Sequence, residues 1–483
     1  MAERIDGKSF IKNVAGFSVS TWVSFAISFL AIPIITRLYS TEEMGKINLF
    51  TTIVNLLCML FCAGQDQAYT RFYYYGIKKK DYHTIFSYSS SIVVVFGLLV
   101  SLILLPFYKN ITLTVLGEES LLFWGIIIAT SFSSTILRLY GLHYRMGKDV
   151  INYSVQAILI AFLSKITLVI SSIWDTTYHS ALILYASSMV ILAVFYIYKQ
   201  KDVSMRIDIK NYDWKITRKL LAFGVPLIPA SVIAWANTSL TNVIVKEYLD
   251  FSALGIYSSA LSIASLINIV QAGFNTYWTA YVYENYQDEK ERIGEVHYYI
   301  TFVMVLGGLL IILLQDFIFL LLGHEYRKAS TYFAFLLVSP ICYTISETTG
   351  LGITIAKKTY NTLIFISASL VVNVILAIIL IPRVGALGSA IASAIAGVVY
   401  LFIRTILGER YYKCVSSYRR TIFSLILLFG ACFLNYYFSG ASIIRVLTIS
   451  VVIILLSLVY KKQLVKLVGI LKDFGVSFIK RIH

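Results

Sequence analysis

Between residues 11 and 460 the chain runs through about fourteen apolar stretches of roughly twenty residues, the length an α-helix needs to cross a bilayer's hydrocarbon core. That spacing predicts an all-α integral membrane protein with about 14 transmembrane helices. The loops are short and leave almost no soluble domain to carry separate chemistry. Charged residues are 14% of the chain and hydrophobic ones 58%, whereas soluble domains carry about 25% charged residues. Residues 1–12 are basic and lead into a run too long for a signal peptide and without a small-residue cleavage site, so the first span is expected to remain in the mature protein.

The expected spans are 13–36, 47–70, 84–107, 121–143, 151–173, 179–198, 220–243, 252–282, 298–322, 330–356, 360–382, 385–407, 420–438 and 443–460. An even number puts both termini on one side. With the N-terminus inside, the inner segments, the one from Arg404 to Arg420 among them, hold roughly four times as many Lys and Arg residues as the outer ones. Both termini are therefore expected in the cytoplasm. The net charge of +16 is spread along this membrane side, which suits anionic lipids as partners and not nucleic acid, for which the basic residues would gather on one soluble face. Residues 461–483 place Leu464, Leu467, Val468, Leu471, Phe478 and Ile482 at helical spacing among lysines, the pattern of an amphipathic basic tail at the membrane interface.

The five cysteines, Cys58, Cys62, Cys342, Cys414 and Cys432, lack metal-site spacing and read as small packing residues. The six histidines fall at span ends or in loops and form no catalytic or metal motif, so no catalytic residue, metal or cofactor is expected.

The first twelve spans divide into two similar halves. Gly45 aligns with Gly255, Leu116-Gly117-Glu118-Glu119 with Leu322-Gly323-His324-Glu325, and Gly141-Leu142, Lys148 and Asn152 with Gly350-Leu351, Lys357 and Asn361, all at an offset of about 210 residues. Each half has six spans, so both start on the same side, and the expected relation is a pseudo-two-fold along the membrane normal. The expected organisation is an N-lobe at 1–209 (spans 1–6), a C-lobe at 210–410 (spans 7–12), two further spans in 411–460 and the tail at 461–483. Two lobes around a midplane cleft suit a carrier working by alternating access.

Charges at bilayer depth cost a few kcal/mol each and need a reason. Lys165 lies near the middle of span 5, Arg138 in span 4 and Glu347 in span 10, and the repeat offset lays Arg138 on Glu347. One reading is a wet cavity whose cations meet an anionic substrate and whose acid takes up a coupling proton. The other is a buried ion pair fixing the lobes together, or Arg138 snorkelling to the cytoplasmic headgroups. Asp66 and Arg71 stand at the end of span 2, a position that suits a cavity mouth or an ordinary helix end. Gln271, Asn275 and Trp278 occupy the corresponding region of the second half, and Asn237 and Asn242 punctuate span 7. Such polar residues suit hydrogen bonding to sugar hydroxyls or between helices.

The opening KNVAGFSVSTWVSFAISFLAIPIITRLYSTEEMGKINLF, the second-half opening LLAFGVPLIPASVIAWANTSLTNVIVKEYLDFSALGIYSSALSIASLINIVQAGFNTYWTAYVYE and PRVGALGSAIASAIAG near span 12 resemble the polysaccharide transporter family, which includes the Wzx-type flippases of O-antigen and capsule repeat units. That family belongs to the superfamily that also holds lipid II flippases and multidrug antiporters. The resemblance implies a fourteen-helix, two-lobe carrier in the bacterial inner membrane that moves undecaprenyl-diphosphate-linked oligosaccharide to the outer leaflet, alongside a polymerase and other polysaccharide-assembly proteins. The cationic cavity of the family would draw on Lys165 and Arg138, with Arg37 and Arg71. Many relatives carry an Asp-Arg pair late in span 7, where this chain reads Ser239-Leu240-Thr241-Asn242. That departure leaves the role of the pair to Glu347 or to none; Asp66 is a further candidate for ion coupling. Competing readings are a lipid II flippase or multidrug antiporter of the same superfamily and, in a different class, a multispan polymerase or glycosyltransferase. The last would need a large outer loop or an intramembrane catalytic His or acidic pair, which the chain does not display.

Overall fold

The computed structural model describes residues 7–75, 82–200, 213–466 and 469. Among the described residues regular structure is helical throughout, and fourteen helices are long and apolar enough to cross a membrane. They are α1 (Val19–Leu38), α2 (Thr41–Cys62), α3 (His83–Leu116), α4 (Leu121–Met146), α5 (Val150–Ser171), α6 (Tyr178–Lys199), α7 (Trp214–Tyr248), α8 (Phe251–Asn275), α9 (Lys290–Leu313), α10 (His324–Thr349), α11 (Asn361–Val384), α12 (Ala386–Glu409), α13 (Arg419–Tyr437) and α14 (Ser442–Val459). The protein is thus a multi-pass membrane protein. Beyond residue 466 the expected amphipathic tail lies outside the described residues, Gly469 apart, as does most of the stretch expected to join the lobes.

Each expected span falls on one of these helices, with differences at ends and interruptions. The second starts at Thr41, not 47. Ser40 caps it by accepting from the Glu43 N–H at 3.3 Å, and Lys46 pairs with Glu42 at 2.8 Å one turn away, so a charged turn sits inside the helix. It then stops at Cys62, where Ala63 (φ 45°) and Gly64 (φ 70°) turn left-handed, and a separate helix, Gln65–Tyr75, follows. The expected span 8 is likewise two helices, Phe251–Ala264 and Ile267–Asn285. In α7 a 3-10 turn at Val225–Leu227 holds Pro226, whose missing N–H breaks the α ladder. Span 9 begins at Lys290, eight residues before the expected 298, so His297 is interior to a helix and not at its end.

The chain divides into two compact units, residues 1–259 with 322–326, and residues 260–321 with 327–483. In the first, α2 and the start of α8 cross at their backbones. A Cβ on Gly45 would stand 1.9 Å from the Phe251 carbonyl oxygen, and one on Gly255 would stand 1.9 Å from that of Thr41. Only glycine permits that approach. Thr41 and Ser252 share a 2.6 Å hydroxyl hydrogen bond beside it, and the Asn48 amide donates to Ser258 Oγ at 2.6 Å. Deeper in this unit Tyr69, Phe86, Tyr140 and Tyr196 are fully buried among apolar neighbours.

In the second unit His297 is fully buried. Its Nδ1 meets Thr348 Oγ1 and its Nε2 meets Thr421 Oγ1, both at 2.7 Å, so one side chain ties α9, α10 and α13 together. Gln315 and Asn435 share a 2.5 Å hydrogen bond, and Arg445 on α14 pairs with Asp316. The two helices without a repeat counterpart are therefore fastened to this unit by polar contacts as well as packing.

Candidate functional site

Two clusters of intramembrane polar residues occupy equivalent places in the repeats. Both lie where a helix comes down to a glycine and turns into the next span. Lys148 (φ 59°) and Lys357 (φ 56°) adopt the same left-handed conformation in those turns, as their alignment in the repeat demands. In the first, Asp149 caps α5 by accepting from the Asn152 N–H at 3.1 Å.

In the second unit α10 carries Glu347 and α12 carries Arg404. The guanidinium grips the carboxylate bidentately, Nη1 to Oε1 at 2.9 Å and Nη2 to Oε2 at 2.6 Å, with side chains only 14% and 13% exposed. Gln271 Nε2 donates to the same carboxylate at 3.2 Å, and Trp278 Nε1 donates to the Glu347 carbonyl at 3.3 Å. Arg404 also lies over the rings of Phe365 and Tyr400 at 5.5 and 5.9 Å. Its Nε would lie 2.3 Å from a Cβ on Gly350. With that space taken, the cavity beside Asn275, Glu347 and Arg404 measures about 50 Å³, room for no more than a few waters.

In the first unit Arg138 on α4 donates through Nη2 to Asp66 Oδ2 at 2.6 Å. Here the guanidinium is 48% exposed while Asp66 is 13% exposed. The cavity is about 280 Å³, lined on its polar side by Asp66, Arg138, Arg145, Tyr153 and Gln156. Gln156 is 1% exposed and donates through Nε2 to the Leu137 carbonyl at 2.9 Å.

The structure therefore gathers Gln271, Asn275, Trp278 and Glu347 in one cluster and Asp66 with Arg138 in another. It does not pair Arg138 with Glu347; each has its partner within its own unit, which corrects the reading of one ion pair between lobes. Lys165 is half-buried on α5, and no carboxylate pairs with it among the described residues. It lies nine residues past Gln156, about 14 Å along the helix, and does not line the cavity. Arg37 is exposed at the end of α1, and Arg71 is exposed over the Phe223 ring at 5.0 Å. Asn237 and Asn242 are half-buried on α7. Asn242 donates to Thr52 Oγ1 at 3.3 Å and Trp235 Nε1 to the Thr52 carbonyl at 3.2 Å, so this polar stretch joins α7 to α2. Sequence reasoning missed Arg404 and Gln156. Arg404 stood inside the expected span 12, and that position was the available signal, but the basic residues following it made it read as an inner-loop charge.

A family model for polysaccharide biosynthesis proteins matches residues 10–276. Protein 1 of the Lsg locus of Haemophilus influenzae is 21% identical over 337 residues, covering 68% of this chain and 80% of that protein. Among solved structures, the lipid II flippase MurJ in an inward closed conformation superposes with a TM-score of 0.69 at 15% identity, over 93% of this chain and 99% of MurJ. An inward-facing multidrug resistance transporter of the MATE family, within the MOP superfamily, gives 0.57 at 16% identity over 80% and 93%. The fold is that of these transporters, as the resemblance in the sequence implied. With the family model covering more than half of its length, the chain belongs to the polysaccharide biosynthesis protein family.

Proposed function

We propose that the protein is a flippase that carries undecaprenyl-diphosphate-linked oligosaccharide repeat units of an O-antigen, capsule or related surface polysaccharide from the inner to the outer leaflet of the bacterial cytoplasmic membrane. The observation that carries this reading is that a member of a polysaccharide-biosynthesis family consists, over its described residues, almost wholly of membrane-crossing helices. Its substrate is then one that lives in the membrane. A diphosphate bearing sugars cannot cross hydrocarbon unaided, because its charges and hydroxyls would lose their hydrogen bonds. The lipid tail can stay in the bilayer while a polar cavity takes the headgroup. Two lobes, 1–209 and 210–410, would alternate access to it, with both termini cytoplasmic.

Arg138, half exposed in the cavity, is a cation placed to meet a headgroup, with Lys165, which no carboxylate pairs among the described residues, deeper on α5. Proton uptake by Asp66 would release Arg138 for an anionic ligand, which makes this pair a coupling candidate beside Glu347. The transporter fold argues against an enzyme.

The test is deletion of the gene followed by location of the accumulated intermediate. Lipid-linked repeat units facing the cytoplasm, with surface polysaccharide lost, are expected. Intermediates already on the outer face but unpolymerised would move the protein to the polymerase or transferase class. Reporter fusions after Lys80, Gln200 and Lys462 should all report cytoplasm.

A further inference from the structure

We infer that the cavity within the first unit is a saccharide subsite, taking one sugar residue of the lipid-linked headgroup; the inference rests on the flippase reading and names the part of the substrate held there. Gln156 carries the argument. Its Nε2 is committed to the Leu137 carbonyl, which fixes the orientation of the amide, so Oε1 is a pure acceptor. That oxygen is buried and has no hydrogen-bond partner among the described residues, in a side chain that lines the cavity. A buried acceptor of this kind waits for a donor. A phosphate at neutral pH brings few donors; a sugar ring brings several hydroxyls.

The rest of the lining agrees. Asp66 adds a second acceptor, Arg138 adds donors, and Leu142, Ala157 and Ile160 form an apolar wall suited to the carbon face of a sugar. Arg145 at the rim is exposed and has no ion-pair partner among the described residues, placing a cation where the diphosphate would follow the sugar. Glycine at 141 keeps the acceptor open, since a Cβ there would stand 3.1 Å from Gln156 Oε1. A volume of about 280 Å³ lies just below the roughly 300–1,000 Å³ range of small-molecule sites, enough for one sugar residue and too little for a repeat unit. The equivalent place in the second repeat is filled by Arg404 against Gly350. One copy of a duplicated pocket has been plugged, and the other kept open with an unpaired acceptor inside.

The test uses the full chain in nanodiscs, with the five native cysteines replaced and a reporter introduced by Ala157→Cys. Maleimide labelling is followed without ligand, with undecaprenyl diphosphate, and with undecaprenyl-diphosphate-linked N-acetylglucosamine. At ten times Kd the sugar-bearing lipid should slow labelling about tenfold relative to the sugarless one. Gly141→Val should remove that difference, and Gly125→Val on the same helix, where a Cβ meets nothing within 4 Å, should keep it. A second reporter, Leu142→Cys, guards against a poorly folded first one. Equal labelling with both lipids at both reporters, in protein that still flips lipid-linked sugar in vesicles, overturns the subsite and leaves the flippase reading standing. Failure to flip any lipid-linked saccharide overturns both.

Discussion

Replacing Arg404 should be more damaging than replacing the acid it binds. In Arg404→Met the Glu347 carboxylate keeps only the Gln271 amide at 3.2 Å, in a site where it is 13% exposed. Breaking a buried pair by removing one partner costs about 3–5 kcal/mol, which lowers the folded-to-unfolded ratio by about two to four orders of magnitude. In Glu347→Gln the guanidinium retains the Ser346 hydroxyl at 3.0 Å and its two aromatic faces, so the loss should be smaller, about 1–2 kcal/mol. The double replacement Glu347→Met with Arg404→Met removes both charges at similar volume and should lie within about 1 kcal/mol of the parent. The assay is a denaturation cycle on the four proteins in one lipid environment, with membrane levels in cells as a second readout. A double variant that loses the sum of the singles, or a neutral Arg404→Met, would refute the reasoning, because the pair would then be uncoupled.

Gly45→Ala should destabilise by at least about 1–3 kcal/mol, since its new methyl would meet the Phe251 carbonyl at 1.9 Å, whereas Gly430→Ala, with nothing within 4 Å, should be silent in the same melting assay. Lys165→Ala should abolish polysaccharide export while Lys165→Arg retains part of it; equal loss at normal membrane levels would assign the lysine to packing. A cysteine at 165 in the thiol-free background should react with a small water-soluble reagent, and complete protection would show that the position is dry. Cys414, in the connection before α13, has its thiol pushed up to about 11 by burial. The thiolate is then scarce at neutral pH, so alkylation should climb about tenfold per pH unit from pH 8 and level off only near 11; a plateau by pH 9 would contradict the burial.

The spans were legible because hydropathy over twenty residues is a strong signal and the bilayer enforces it. The ends were less so, for reasons visible in single residues. Glu42, Glu43 and Lys46 look like a loop, yet Ser40 and the ion pair one turn apart hold them in α2. The break at Ala63 and Gly64 depends on two left-handed residues that hydropathy cannot register. Glu347 and Arg138 announced themselves as charges in apolar runs, but their partners did not. Asp66 and Arg404 come from spans distant in sequence, and only the fold brings them within 2.6 Å. Gln156 passed unnoticed because an uncharged amide in a helix carries no penalty that composition reveals.

The crossing of Gly45 and Gly255 is reciprocal between the two repeats. Thr41 and Phe251 hold equivalent places in the two repeats, as do Asn48 and Ser258. Each glycine lies against the carbonyl four residues before the other, so the first touches the second's neighbour as the second touches the first's. That reciprocity is the signature of an isologous contact between identical subunits. Two identical subunits meeting in this way would have to carry the same site twice. Within a single chain no such identity is imposed: one site is sealed by an arginine and the other is open, while neither glycine has space for a side chain.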